Sequence, residues 1–150
     1  VLVTAVASGV GLAEAQLARA LGARSFGTNR PEGKLEPAHT AGLDAGLAID
    51  GDPGVLIAAA REWSEGHGVD VALDLVGGSY ASACIGALGR HGRLMLIGTM
   101  GGATASVDYR VLMRARGSIV GLGPLGYLLA LDAAAQLCKG AAAKSMRQIQ

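Results

Sequence analysis

A stretch near the amino end of the chain has residue types that could bind a phosphate group. The segment VASGVG lies between a short apolar run and a run with helical periodicity. The dinucleotide-binding template G-x-G-x-x-G matches it only at Gly11, because Val6 and Ser8 stand at the first two glycine positions. The chemistry requires less than the template, namely backbone N–H groups at a helix amino terminus and close packing of that helix on the strand. Those N–H groups would be the ones of Ser8, Gly9 and Val10, and Gly11 allows the packing.

Ser8 has two interpretations. Its hydroxyl group can donate a hydrogen bond to a phosphate oxygen at this turn. Serine is also a preferred N-cap residue of ordinary helices, where its side-chain oxygen accepts a backbone N–H. The spacing of the turn alone does not separate a phosphate site from a simple strand-to-helix connection.

A second candidate site follows the next apolar run, RSFGT. An NAD-binding sheet places Asp or Glu about 20 residues beyond the glycine turn, where the carboxylate holds the adenosine ribose hydroxyls. Here the neutral Asn29 occupies that position, and Arg30 and Lys34 follow it. A planar guanidinium and a point charge, with no carboxylate at the acid position, favour an adenosine 2′-phosphate and hence NADPH. The alternatives are a solvated basic face and an ion pair of Arg30 with Glu32, although Glu32 also suits the start of a helix.

Two further loops contain paired glycines, which let a backbone run close to a ligand. They lie in LDLVGG, residues 73–78, and LIGTMGG, residues 96–102. Asp74 is unusual inside an apolar strand, because a buried carboxylate needs hydrogen bonds. We expect it to tie two loops together by accepting backbone N–H groups rather than to act in catalysis. Thr99 and Met100 stand in the loop that would reach the nicotinamide end of a cofactor.

The remaining polar residues show no catalytic or metal-binding pattern. Cys84 and Cys138 lack the C-x-x-C spacing and the nearby histidines of a zinc site, so we expect packing thiols and no bound metal. His39, His67 and His91 share no spacing, and we expect a surface or capping role for each. The sequence contains no nucleophile elbow, no Ser-His-Asp order and no pair of carboxylates.

Short apolar runs alternate with helical-period runs up to residue 122, which is typical of βα units and a parallel sheet. The pattern predicts an α/β fold: a doubly wound, Rossmann-type sheet of six parallel strands with helices on both faces, in three layers. Ligands of such sheets bind at the carboxyl ends of the strands, so the loops after strands one, two, four and five should meet there. The Ala-rich tail, residues 124–150, is predicted to be helical. The predicted strands are residues 1–5, 24–28, 46–50, 69–76, 92–98 and 117–122, and the predicted helices are 10–21, 32–41, 53–65, 80–88 and 107–114.

Length and composition narrow the class of protein. The 150 residues are 51% hydrophobic and 3% aromatic and include 24 glycines, which favours one soluble domain of closely packed small residues. The formal net charge of +1 gives no general attraction to nucleic acid or to an anionic membrane, and no apolar run is long enough to span a bilayer. We therefore expect a cytoplasmic protein. Because the chain begins in a strand-like run without Met, we interpret it as a piece of a longer protein.

Six segments carry a resemblance to a known family: VLVTAVASGVGLAEAQLARALGAR, GTNRPEGKLE, GLDAGLAIDGD, GVDVALDLVGGSY, HGRLMLIGTMGG and RARGSIVGLG. In this order and spacing they resemble the cofactor domain of the zinc-independent quinone oxidoreductases of the medium-chain dehydrogenase/reductase superfamily. The resemblance covers roughly residues 1–123. Enoyl reductases of the same superfamily share most of these landmarks.

The resemblance implies an enzyme that transfers hydride from NADPH to a quinone or an activated enone. Residues 1–123 would form its NADP(H)-binding domain, and the N-terminal catalytic domain of the family is absent, so we expect the chain alone to be inactive. The resemblance also implies a homodimer through the last strand, GSIVGL, and it leaves the catalytic residues unassigned. By position it implies cofactor contacts for Ser8, Gly9, Val10, Gly11, Asn29, Arg30, Lys34, Val76, Gly77, Gly98, Thr99 and Met100.

The chain departs from the family pattern at two positions. Val6 stands where relatives usually have Gly or Ala, and we expect its branched side chain to crowd the turn. Ile49 stands where many relatives have a tyrosine that reaches the 2′-phosphate. Two other functions stay open, a non-catalytic NADPH-binding module and an enoyl reductase. A methyltransferase-like sheet would require an acid after strand two, where Asn29 and Arg30 stand.

Overall fold

The computed structural model describes residues 1–30 and 34–122 of the chain. Within these residues, six strands form one sheet in the order β3-β2-β1-β4-β5-β6, and every neighbouring pair is parallel. The strands are β1 (Leu2–Val3), β2 (Phe26–Asn29), β3 (Ala45–Ala48), β4 (Val69–Asp74), β5 (Leu88–Leu96) and β6 (Ser118–Gly121). The helices are α1 (Gly9–Ala20), α2 (Leu35–Ala41), α3 (Val55–Trp63), α4 (Ser79–Ala87) and α5 (Tyr109–Ala115).

The helices cover both faces of the sheet. Helices α1 and α2 pack on one face around a core that includes Val3, Ala15 and Leu73, whereas α3, α4 and α5 pack on the other face around Leu56 and Leu94. This division follows from right-handed crossovers, because the sheet grows outward from β1 in one direction and from β4 in the other. The predicted α/β, Rossmann-type, three-layer architecture is thus confirmed. Strand order reverses between β1 and β4, where such sheets open a crevice for ligands.

Two strands differ from their predicted bounds for identifiable reasons. β1 ends at Val3 because Ala5 adopts a left-handed backbone with a φ of 47°, which turns the chain out of the sheet. β5 begins at Leu88 rather than at residue 92, because Leu88 already pairs with Val69 before an irregularity in register. His91 has a φ of 62° within that irregularity. Local hydrophobic pattern does not encode such breaks in pairing.

Three of the predictions concern residues outside the described part of the chain. They are the predicted helical tail, Cys138 within it, and Glu32. Among the described helices, none is long and apolar enough to cross a membrane.

Candidate functional site

A cavity of about 390 Å³ opens at the carboxyl ends of the central strands. Its walls come from the turn after β1, the segment after β2, and the loops after β4 and β5, which are the four loops that the fold predicts for a ligand site. The lining residues are Ala5, Asn29, Arg30, Lys34, Leu75, Val76, Tyr80, Met100 and Gly101.

The turn after β1 is held tightly against the rest of the sheet. Val6 donates its backbone N–H to the carbonyl oxygen of Thr28 at 2.9 Å, and its side chain is fully buried. That side chain lies over Gly27 of β2, where an added Cβ would come within 2.7 Å of Val6 Cγ1. Val6 is not among the residues that line the cavity. The lining position belongs to its neighbour Ala5.

The amino terminus of α1 combines an N-cap with a close helix contact. Ser8 is the N-cap residue, and its Oγ accepts a hydrogen bond from the N–H of Gly11 at 3.1 Å. A Cβ on Gly11 would lie 2.6 Å from Val6 Cα, so only glycine lets the helix approach the turn this closely. The N–H groups of Gly9 and Val10 belong to the first turn of the helix, where intrahelical acceptors are absent. Gly9 is exposed, with open space around its Cα.

The basic wall of the cavity follows β2. Asn29 is half-buried at the end of this strand, and its main-chain carbonyl oxygen accepts the N–H of Ile49 at 2.8 Å. Arg30 and Lys34 are exposed at the cavity and take part in no salt bridge within the part of the chain that the structure describes. Ile49 itself is buried, with 2% of its surface exposed, and is not among the residues that line the cavity. Two free positive charges and a neutral amide thus face the same space.

Tyr80 is a lining residue that the sequence analysis missed. It lies in the first turn of α4, and burial raises the pKa of its phenol above the ordinary value while the positive charge of Arg30 acts in the opposite direction. The phenol therefore stays protonated at neutral pH and can donate a hydrogen bond into the cavity. Its position two residues after the Gly77–Gly78 pair is the signal that could have identified it.

Asp74 ties the turn after β1 to the loop after β4. Its carboxylate is fully buried and accepts the hydroxyl of Thr4 at 2.8 Å together with the N–H groups of Val76 and Gly77 at 3.0 and 3.1 Å. Thr4 Oγ1 in turn accepts the N–H of Leu75 at 2.9 Å. The prediction that Asp74 accepts backbone N–H groups is confirmed within the loop after β4, whereas its link to the segment after β1 is the hydroxyl group of Thr4. Its bonds position two cavity walls, and its side chain does not line the cavity.

The paired glycines bring the two loops into contact with each other. A Cβ on Gly77 would lie 2.7 Å from the carbonyl oxygen of Gly102, and one on Gly78 would lie 2.6 Å from that of Gly101. Gly101 also donates its N–H to the carbonyl oxygen of Val76 at 2.7 Å. The glycines therefore serve mutual packing of the loops, and of these four only Gly101 lines the cavity.

The structure brings five of the twelve residues proposed for cofactor contact to the cavity: Asn29, Arg30, Lys34, Val76 and Met100. The others do not line it, although they lie in the same loops or at the start of α1: Ser8, Gly9, Val10, Gly11, Gly77, Gly98 and Thr99. Sequence reasoning missed Ala5, Leu75, Tyr80 and Gly101.

The family model described as zinc-binding dehydrogenase matches residues 9–128. The chain belongs to this family. This membership, with the parallel sheet and the crevice between β1 and β4, confirms the resemblance to the cofactor domain of the medium-chain dehydrogenase/reductase superfamily, which consists of oxidoreductases.

Several relatives of this family resemble the chain over most of its length. The quinone oxidoreductase-like protein 2 homolog of Nematostella vectensis is 32% identical over 123 residues, which are 81% of this chain and 33% of that protein. A mycobacterial structure complexed with NADPH has a TM-score of 0.75 and 29% identity, and the match covers 99% of this chain and 45% of that one. Escherichia coli quinone oxidoreductase complexed with NADPH has a TM-score of 0.72 and 26% identity, over 93% of this chain and 43% of that one. The chain thus spans less than half the length of each.

The described residues do not provide the zinc site that the family description names. Residues 1–30 and 34–122 contain no group of three or more His, Cys, Asp or Glu side chains that could hold a metal ion. Cys84 is fully buried in α4, and burial raises the pKa of its thiol well above the ordinary value. His39, His67 and His91 are exposed, and His39 Nδ1 lies 3.0 Å from the carbonyl oxygen of Leu43 just beyond the carboxyl end of α2. These positions agree with the surface and packing roles that the sequence predicts.

Proposed function

We propose that the chain is the NADPH-binding domain of an oxidoreductase that transfers hydride to a quinone or an activated enone. One observation carries the proposal: Arg30 and Lys34, free of salt bridges within the described residues, share a cavity with the neutral Asn29 at the end of β2. An NAD-specific site would place a carboxylate at that strand end. The NADPH complexes of the mycobacterial and E. coli relatives support the same cofactor.

The residues of the cavity suit the separate parts of NADPH. Arg30 offers a bidentate guanidinium and Lys34 a point charge to the 2′-phosphate, and Asn29 can bond a ribose hydroxyl without repelling the phosphate. The pyrophosphate would accept hydrogen bonds from the N–H groups of Gly9 and Val10, which have no intrahelical acceptor. It could also accept the hydroxyl hydrogen of Ser8, because only the oxygen of that group is used to cap α1. Val76 and Gly77 would lie beside the adenosine, and Gly98, Thr99 and Met100 toward the nicotinamide.

When bound, NADPH supplies the hydride, so the task of these residues is binding and orientation rather than acid–base chemistry. Tyr80 adds a protonated hydroxyl close to Arg30, and Asp74 fixes the loop that carries Leu75 and Val76. These residues suit binding of the cofactor, and we assign none of them a role in proton transfer to the acceptor. We therefore place the acceptor site outside these residues, and binding without turnover is the result expected for the chain alone.

Titration of the chain with NADPH and NADH tests the cofactor proposal. We expect NADPH to bind at least about tenfold more tightly, a difference of roughly 1.4 kcal/mol. Arg30→Ala should weaken NADPH and leave NADH nearly unchanged. Arg93→Ala, which removes the same charge from an exposed position on β5 outside the cavity, should change neither. Equal affinities for the two cofactors, or equal losses in Arg30→Ala, would overturn the role given to Arg30.

The acceptor is tested on a longer protein that contains this domain together with the regions that its relatives have outside the matched part. NADPH oxidation followed by absorbance, with a benzoquinone and an enoyl thioester as alternative acceptors, distinguishes a quinone reductase from an enoyl reductase. Tight NADPH binding with turnover of neither acceptor would favour the non-catalytic module.

We also propose that two copies of the chain pair through β6. Among the described strands, β6 is one of the two edges of the sheet, and all four of its residues are exposed, including Ile119 and Val120 at 38% and 41%. An exposed apolar edge strand is a template for pairing with another chain. A second copy would continue the sheet across the interface.

A further inference from the structure

A second cavity, of about 410 Å³, lies at the amino ends of the strands, opposite the cavity proposed to bind NADPH. Its residues come from the segments that lead into β4, β5 and β6, which are the amino ends of these parallel strands. Four arginines line it, Arg61, Arg90, Arg114 and Arg116, together with His67. We call this cavity the arginine pocket.

The positive charge of the arginine pocket is only partly balanced: the pKa of the Asp108 carboxyl group, outside the pocket, is lowered by its hydrogen bonds with Arg110 and also by the charge of Arg114. No carboxylate lines it, and none of its four arginines forms a salt bridge within the described residues. The chain as a whole holds 13 basic and 12 acidic residues, so general basicity does not explain the cluster. Four permanent charges that converge on one concavity repel one another unless an anion lies between them.

Three of the four arginines lie at the carboxyl ends of helices. Arg61 lies in the last turn of α3 and donates to the carbonyl oxygen of Gly86 in α4 at 3.1 Å, and Arg114 lies in the last turn of α5. Cations are favourable at such helix carboxyl ends. Arg116 is the C-cap residue of α5 and adopts a left-handed backbone with a φ of 49°, a conformation that glycine adopts at lower cost. Arg90 lies on β5, where no helix dipole acts on it, and it forms no salt bridge within the described residues.

We propose that the arginine pocket binds a soluble anion that carries two or more phosphate groups. Guanidinium groups bind phosphate oxygens in bidentate pairs, and four of them exceed what a single phosphate group needs. Within the part of the chain that the structure describes, no Trp, Tyr or Phe lines the pocket, so these residues offer no surface on which nucleic-acid bases could stack. An inorganic or sugar polyphosphate fits this chemistry better than a nucleic acid. The site is separate from the cofactor cavity and does not depend on the function proposed for it.

Calorimetric titration of the chain with sodium tripolyphosphate, at constant ionic strength, tests the proposal. We expect one molecule to bind per chain. Arg90→Gln should weaken binding at least about fivefold, because one charge-assisted contact is lost. Arg93→Gln removes the same charge from the same strand outside the pocket and should leave the affinity unchanged.

Arg116→Gly separates binding from folding. It removes a second charge while glycine relieves the left-handed backbone, so the variant should fold at least as stably and still bind at least about fivefold more weakly. Absence of binding to the unmodified chain would overturn the proposal, as would equal losses in Arg90→Gln and Arg93→Gln. An affinity that falls in Arg30→Ala but not in Arg90→Gln would place the anion in the cofactor cavity and would also overturn it.

Discussion

The side chain of Val6 occupies the space that a side chain on Gly27 would need, with 2.7 Å between Val6 Cγ1 and the position of a Cβ at residue 27. We expect Gly27→Ala to lower the free energy of unfolding by about 1–3 kcal/mol, because the fully buried valine cannot move aside. Urea denaturation measures this. The double variant Val6→Ala/Gly27→Ala should lose less than the sum of the two single losses, and strict additivity would contradict the contact.

A strained alanine lines the cavity at the carboxyl ends of the central strands. Ala5 has a φ of 47°, which costs a non-glycine residue about 1 kcal/mol or more. We expect Ala5→Gly to raise the free energy of unfolding by roughly 0.5–1 kcal/mol, since relief of the strain exceeds the added flexibility of the unfolded chain. NADPH affinity should not fall. Ala7→Gly, in the same turn but without a positive φ, is the control and should destabilise the fold; two changes of the same sign would contradict the explanation.

A buried carboxyl group makes stability depend on pH. Glu14 in α1 is 1% exposed, neither of its oxygens has a hydrogen-bond partner among the described residues, and burial raises its pKa to about 8. Because the folded state holds this proton more tightly than the unfolded state, stability is fully present below 4.5, the ordinary pKa of a glutamate side chain, and falls as the pH rises toward about 8. At about 1.4 kcal/mol per pKa unit, the loss amounts to several kcal/mol.

Glu14→Gln removes that titration. We expect it to change little at about pH 5, and to raise the free energy of unfolding by roughly 2–4 kcal/mol at about pH 8. Glu36→Gln, at an exposed position of α2, should leave the pH dependence as it is. Chemical denaturation across this range supplies the comparison, and parallel curves for Glu14→Gln and the unmodified chain would show that Glu14 is ionised in the folded state.

The outer side of β6, which pairs with no other strand among residues 1–30 and 34–122, provides a test of self-association. Leu122 donates its N–H to the carbonyl oxygen of Leu96 on β5, and N–H groups alternate in direction along a strand, so the N–H of Ile119 points away from β5. Proline is tolerated at such edge positions, and Ile119→Pro should abolish dimers without unfolding the chain. Val55→Pro, at the exposed first position of α3, is a matched control. Sedimentation velocity reads the outcome, and a dimer that survives Ile119→Pro would exclude pairing through β6.

The class of the fold and the chemistry of one cavity wall can be predicted from the sequence alone. Alternation of short apolar runs with helical runs predicts six parallel strands, because a strand buried on both faces must be apolar throughout. Asn29, Arg30 and Lys34 are close together in the sequence, so their joint suitability for a phosphate is visible without a structure. The role of Asp74 could also be predicted, since a carboxylate in a buried strand has to accept hydrogen bonds.

Which distant residues meet depends on the tertiary structure. The direction of the Val6 side chain depends on Gly27 of the neighbouring strand, and Tyr80 reaches the cofactor cavity because β4 lies beside β1. The arginine pocket likewise joins Arg61 to Arg116 across three strand ends. Hydrophobic periodicity specifies how each segment folds locally, whereas the order and register of the strands place segments of distant sequence side by side.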